Sequence, residues 1–141
     1  MGDKYYNSIM YKIHIQKAVR YWADSAAYDL EVADSLFEKG KFHYSLFFGH
    51  LALEKILKAI YVRSQKAHAP ITHSLPYLAK RSGMDLDQAR MQHLAEFMQF
   101  YVEGRYPKNM EDILKKYDRK FTAEQLTRIR EMFQWLQKKL K

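Results

Sequence analysis

From residue 42 to 65, apolar side chains cover more than half of a helical circumference: Leu46, Phe47, Phe48, Leu51, Ala52, Leu53, Ile56, Leu57, Ala59, Ile60 and Tyr61. A helix that is apolar on most sides is enclosed by its neighbours, so this segment is expected at the centre of a bundle. Ahead of it, Trp22, Ala26, Leu30, Ala33 and Phe37 recur at steps of four and three and form one stripe on a helix over 18–38. Gly40, after Lys39, is the expected C-cap of that helix. Residues 1–17 are polar and aromatic with weak periodicity, and the expectation is an N-terminal tail leading into the domain.

Past a linker, Ala67 to Ile71, Thr72 or Ser74 is placed to cap a short helix over 74–82, with Pro76 tolerated in its first turn. Met91, Leu94, Met98 and Tyr101 form the stripe of a helix over 85–104. One further step of four reaches Arg105, which is expected at the helix end in line with the buried stripe, because Pro107 disfavours helical geometry at Tyr106. Thr122 and Gln125 have the spacing of a capping box and Phe121 and Leu126 that of a hydrophobic staple, before Leu126, Ile129, Phe133, Leu136 and Leu140. Helical periods throughout, few turn residues and no strand-like alternation predict an all-α fold. The expected form is an up-and-down bundle of about five helices, with a short helix after the second long one, as a single domain over 18–141.

Polar residues on the enclosed helix are informative because burial makes them costly. His50, Glu54 and Lys58 step by four and share one face, with Lys55 beside them and Asp29 on the edge of the preceding stripe. Two arrangements meet the cost. The charges neutralise one another inside the bundle and fix helix register, or they line a polar cleft that accepts a phosphate or a base, joined by His73 and Arg105. Arg suits bidentate contact with phosphate, and His donates or accepts near neutral pH.

Composition narrows the classes further. The 141 residues fit one domain, and a hydrophobic fraction of 48% excludes a disordered chain. Twenty-four Lys and Arg against 16 Asp and Glu give a net charge of +8, which favours anionic partners. The excess is concentrated in 108–141, where ten Lys and Arg face five Asp and Glu. The absence of cysteine excludes disulfides, thiol nucleophiles and Cys-ligated zinc, and fits a cytoplasmic setting. His50 and Glu54 lie one turn apart, but two ligands leave a metal site incomplete, so no metal and no cofactor is implied. No apolar run is long enough for a membrane span, no signal-peptide block opens the chain, and neither a P-loop nor a dinucleotide fingerprint occurs. Arg63 and His68, with four residues between them, have residue types that serve metal-independent RNA cleavage, His as general acid or base and Arg on the phosphate.

Taken in order, Trp22, Asp29-Leu30, Ala33, Tyr44, His50-Leu51-Ala52-Leu53-Glu54-Lys55, Leu57-Lys58-Ala59, Pro70, Thr72-His73-Ser74-Leu75, Leu78 and Arg105-Tyr106-Pro107 resemble the HEPN domain family, the higher eukaryote and prokaryote nucleotide-binding domains. The resemblance implies a helical bundle, usually a homodimer. Small prokaryotic members commonly accompany a separate minimal nucleotidyltransferase, often as a toxin–antitoxin pair, and are proposed to bind nucleotide or substrate. Ribonuclease branches of the family carry an Arg and a His at the spacing of Arg63 and His68, whereas no His follows Arg105 at that distance.

The expectation is therefore a nucleotide- or RNA-binding protein, the accessory partner of a minimal nucleotidyltransferase, with Asp29, His50, Glu54, Lys55, Lys58, His73 and Arg105 as candidate nucleotide-binding residues. Two alternatives stand beside it: a metal-independent endoribonuclease using Arg63 and His68, and a purely structural helical interaction subunit.

Overall fold

A computed structural model describes residues 2–141. Its helices are α1 (Gly2–Glu38), α2 (Phe42–Gln65), α3 (Leu75–Arg81), α4 (Gln88–Arg105), α5 (Met110–Lys116) and α6 (Arg119–Lys138), with no strand among the described residues. The central position expected of α2 holds: it packs against each of the other five helices. Leu46, Ala52, Leu53, Ile56, Leu57 and Ala59 are fully buried. Side chains of this size contribute about 1.5–3 kcal/mol each on burial, Ala less, so α2 is the main source of core stability.

α1 runs antiparallel along α2. Ala26 and Ala33 are completely buried, and these small side chains let the two backbones approach closely enough for Ser45 Oγ to donate to the Ala33 carbonyl at 2.7 Å. The helix stops in a Schellman motif at the predicted glycine. Gly40 adopts φ +75°, its N–H bonds to the Phe37 carbonyl at 3.0 Å, and the Lys41 N–H bonds to the Leu36 carbonyl at 2.8 Å.

The start of α1 differs from the expectation. The helix begins at Gly2 rather than near residue 18. N-terminal to Ala18, the Tyr11 hydroxyl donates to the Lys66 carbonyl in the loop that follows α2.

Local signals set the shorter elements. Ser74, rather than Thr72, caps α3: its Oγ accepts from the Tyr77 N–H at 3.2 Å, while Thr72 Oγ1 accepts from the Ser74 N–H at 3.1 Å. Asp87 Oδ1 caps α4 through the Arg90 N–H at 2.7 Å. α5, which the sequence pattern did not reveal, is a seven-residue helix capped by Asn109. The capping box expected at Thr122 is corrected: α6 starts at Arg119, with Asp118 Oδ1 accepting from the Phe121 N–H at 2.8 Å. Thr122 lies inside the first turns, fully buried, and its Oγ1 has no partner. Among the described residues no helix is long and apolar enough to cross a membrane.

Candidate functional site

The α2 face that carries His50, Glu54 and Lys58 turns inward, and its charges meet one another. Glu54 and Lys58 are 4% and 7% exposed. Glu54 Oε2 accepts from Lys58 Nζ at 3.1 Å, and its other oxygen, Oε1, accepts from His73 Nδ1 at 2.9 Å. Lys58 also lies 5.1 Å from the centroid of the Trp22 ring on α1, a cation–π contact that offsets part of its desolvation.

His50 continues the chain. Its Nε2–H donates to the His73 carbonyl at 3.1 Å, so Nδ1 carries no proton, and that atom is buried without a partner. Burial lowers the His50 pKa to about 4, outweighing the opposing pull of the Glu54 carboxylate. His50 is therefore neutral at physiological pH and holds the loop ahead of α3 by its backbone.

Asp29 and Lys55 form a second pair between α1 and α2. Lys55 Nζ sits 2.7 Å from Asp29 Oδ2 as an ion pair and donates to Ser25 Oγ at 2.8 Å. The Asp29 side chain is nearly buried and Lys55 is partly exposed. Of the two arrangements the sequence allowed, mutual neutralisation describes Asp29, Glu54, Lys55 and Lys58.

His73 leads out of this network to the surface. Its side chain is 47% exposed, and its ring stacks on Tyr101 of α4 with centroids 4.3 Å apart and an interplanar angle of 22°. The Tyr101 ring also lies 5.3 Å from that of His50 and 5.8 Å from that of Phe47. The Tyr101 hydroxyl accepts from the Arg105 guanidinium, which raises the Arg105 pKa above its ordinary value. Arg105 is the last residue of α4, and its guanidinium lies 5.3 Å from the centroid of Tyr106. It is exposed, so the position expected for it in line with the buried stripe is corrected. Drift of the stripe around the helix carries it from buried Leu94 through half-buried Met98 and Tyr101 to the solvent.

Tyr101 is the residue that sequence reasoning missed as a site component. It belonged by period to the apolar stripe of α4, and only its phenol, one turn before Arg105, hinted at a polar task. Arg63 and His68 do not join this network. Arg63 is exposed at the end of α2 and donates to the Leu140 carbonyl, while His68 lies in the following loop.

The arrangement therefore consists of a buried carboxylate, an imidazole that it orients, an aromatic ring stacked on that imidazole, and an exposed guanidinium held by the ring's hydroxyl. Chemically it offers cationic and polar donors to an anion at the surface.

The model of the HEPN domain matches residues 19–140. The crystal structure of TT1696 from Thermus thermophilus is similar in fold, with a TM-score of 0.72 over 86% of this chain and 97% of that one, at 19% identity. No curated protein sequence matches the chain. The family match spans the bundle from the first buried turns of α1 to the end of α6, including every residue of the Glu54–His73–Tyr101–Arg105 series, and the chain belongs to the HEPN domain family.

Proposed function

We propose that this HEPN protein binds a nucleotide or RNA through the surface where His73 and Arg105 emerge, and that it serves as the accessory subunit of a minimal nucleotidyltransferase. Family membership supports a nucleotide- or RNA-related role at the level of the family as a whole. One observation carries the finer reading: Glu54, itself buried, orients an exposed His73 whose ring shares Tyr101 with an exposed Arg105. Ordering an exposed Arg and an exposed His against one Tyr side chain costs side-chain entropy, and a phosphate that accepts from both recovers that cost. The net charge of +8 adds a long-range attraction for such ligands.

A purely structural role accounts for Asp29, Glu54, Lys55 and Lys58, whose charges pair between helices. It leaves Arg105 without a task, since that side chain interacts only with Tyr101 and Tyr106 and makes no ion pair among the described residues.

Titration calorimetry at low salt with ATP, GTP and tRNA tests the reading. Binding of at least one ligand is expected, weakened about tenfold or more in Arg105→Ala, which corresponds to about 1.4 kcal/mol. Silence with all three ligands overturns it. Co-purification with a co-expressed minimal nucleotidyltransferase tests the accessory role within a toxin–antitoxin pair. Light scattering on the purified protein tests the homodimer expected of the family.

A further inference from the structure

Two adjoining cavities lie between the first half of α1 and the end of α2, and Ile15 borders both. The first, about 390 Å3, is walled by Tyr11, His14, Trp22, Val62 and His68. The second, about 410 Å3, is walled by Val19, Arg20 and Arg63. Each falls within the roughly 300–1,000 Å3 typical of small-molecule sites.

The fold builds the first cavity with a specific turn. α2 ends at Lys66, which adopts φ +53° and donates its N–H to the Val62 carbonyl at 2.9 Å. This left-handed residue directs Ala67 to Ala69 toward α1, where they complete the wall, and the Tyr11 hydroxyl pins the Lys66 carbonyl. A non-glycine residue in this backbone region costs energy that the surrounding structure must repay.

The lining is specific in kind. Among the described residues no carboxylate borders either cavity, whereas two Arg and two His do. Arg20 and Arg63 are exposed, and neither forms an ion pair among the described residues. Arg63 places one nitrogen on the Leu140 carbonyl, and the guanidinium fork keeps further donors. Trp22 and Tyr11 offer aromatic walls beside histidines whose ring nitrogens donate or accept. A planar heteroaromatic ring joined to a phosphate satisfies both halves, whereas a plain anion leaves the aromatic cavity unfilled and an apolar ligand leaves the arginines unused.

We infer that these cavities form a nucleotide-binding site separate from the Arg105 surface, with the base against Trp22 and the phosphate on Arg20 and Arg63. The occupant is either a free mononucleotide or the terminal nucleotide of single-stranded RNA, which share this chemistry. The choice of a nucleotide is in keeping with the proposed function, but the site shares no residue with His73, Tyr101 or Arg105.

The chain has two tryptophans, so Trp135→Phe leaves Trp22 as the only reporter. In that background, AMP, CMP, a short oligouridylate and inorganic phosphate are titrated at low salt while Trp22 emission is followed. Saturable quenching by AMP or CMP identifies a free nucleotide; quenching by the oligouridylate alone identifies an RNA end. Inorganic phosphate, having no ring, is expected to leave the emission unchanged. Ala18→Leu, which fills the first cavity, and the paired replacement Arg20→Gln with Arg63→Gln are each expected to weaken the response at least tenfold. The arginine pair is exposed, so it remains informative if Ala18→Leu lowers helicity. Arg105→Ala is expected to leave the response within twofold. Absence of saturable quenching by every nucleotide, or quenching that survives the arginine pair, overturns the inference. Quenching abolished by Arg105→Ala also overturns it, and in that case the Arg105 reading stands.

Discussion

Glu54, 4% exposed, holds the half-exposed imidazole of His73 at 2.9 Å, and the same carboxylate neutralises the buried ammonium of Lys58 at 3.1 Å. One carboxylate thus performs a structural and a positioning task, one with each oxygen.

The two tasks separate by mutation. Glu54→Ala leaves Lys58 buried without an anion, and a loss of about 3–5 kcal/mol is expected in urea unfolding. Replacing both partners by apolar residues, Glu54→Leu with Lys58→Met, is expected to recover most of that stability, because no uncompensated charge remains. The double variant still lacks the acceptor that orients His73. It is therefore expected to fold yet bind nucleotide more weakly, whereas full recovery of binding would show that Glu54 acts on stability alone.

His50 gives the fold a pH dependence of determined sign. Its folded-state pKa is lowered by burial to about 4 from 6.5, so between these values the unfolded chain binds the proton and the folded one does not. The stabilisation is complete above about pH 6.5 and is lost as pH falls toward 4, a change of order 3 kcal/mol. His43, also lowered by burial, adds in the same direction. Urea midpoints measured from pH 7 to pH 4 are expected to fall. His50→Gln, which retains a side-chain donor for the His73 carbonyl, is expected to flatten the slope. An unchanged slope in that variant assigns the pH dependence to other groups.

The sequence revealed what the hydrophobic pattern controls. α2 is legible from Phe42 to Gln65 because nearly every face of it is buried, and α3 is legible because Ser74 and Pro76 are local signals. The pairing of His50, Glu54 and Lys58 on one face followed from helical spacing alone. That Glu54 meets His73, 19 residues away, depends on the path of the loop between α2 and α3, which no period encodes. Tyr101 was hidden because a half-buried aromatic fits a core stripe and a stacking platform equally well. α5 escaped notice because seven residues give fewer than two full repeats of a stripe.

The start of α6 provides a direct check on local signals. Thr122 and Gln125 match the spacing of a capping box, but Asp118 four residues earlier offers an anionic cap near the positive end of the helix dipole. Asp118→Ala is expected to cost about 1 kcal/mol. Thr122→Val, which removes a buried hydroxyl without a partner at nearly constant shape, is expected to be neutral or stabilising by up to about 1 kcal/mol. Thermal unfolding of the two variants checks the assignment, and the opposite order would restore Thr122 as the cap.

Gly104 ties the core to the candidate site. A Cβ there would lie 2.6 Å from Phe47 Cβ, an atom fixed to the α2 backbone, so α4 itself must move if a side chain is added. Gly49 makes a similar approach to α6, but its Cβ would meet Ile129 Cδ1 at 2.9 Å, the far end of a side chain able to change rotamer. Both glycines are helical, and alanine would otherwise gain about 1 kcal/mol in each. Gly49→Ala is therefore expected to stay within about 1 kcal/mol of the parent. Gly104→Ala is expected to lose about 1–3 kcal/mol, because overpacking against a rigid atom exceeds the propensity gain. Tyr101 and Arg105 lie on the same final turns of α4, so the displacement also shifts the stacked Tyr101 ring away from His73. Nucleotide affinity is then expected to fall in Gly104→Ala and to hold in Gly49→Ala under conditions where both remain folded, and equal affinities would uncouple the seating of α4 from binding.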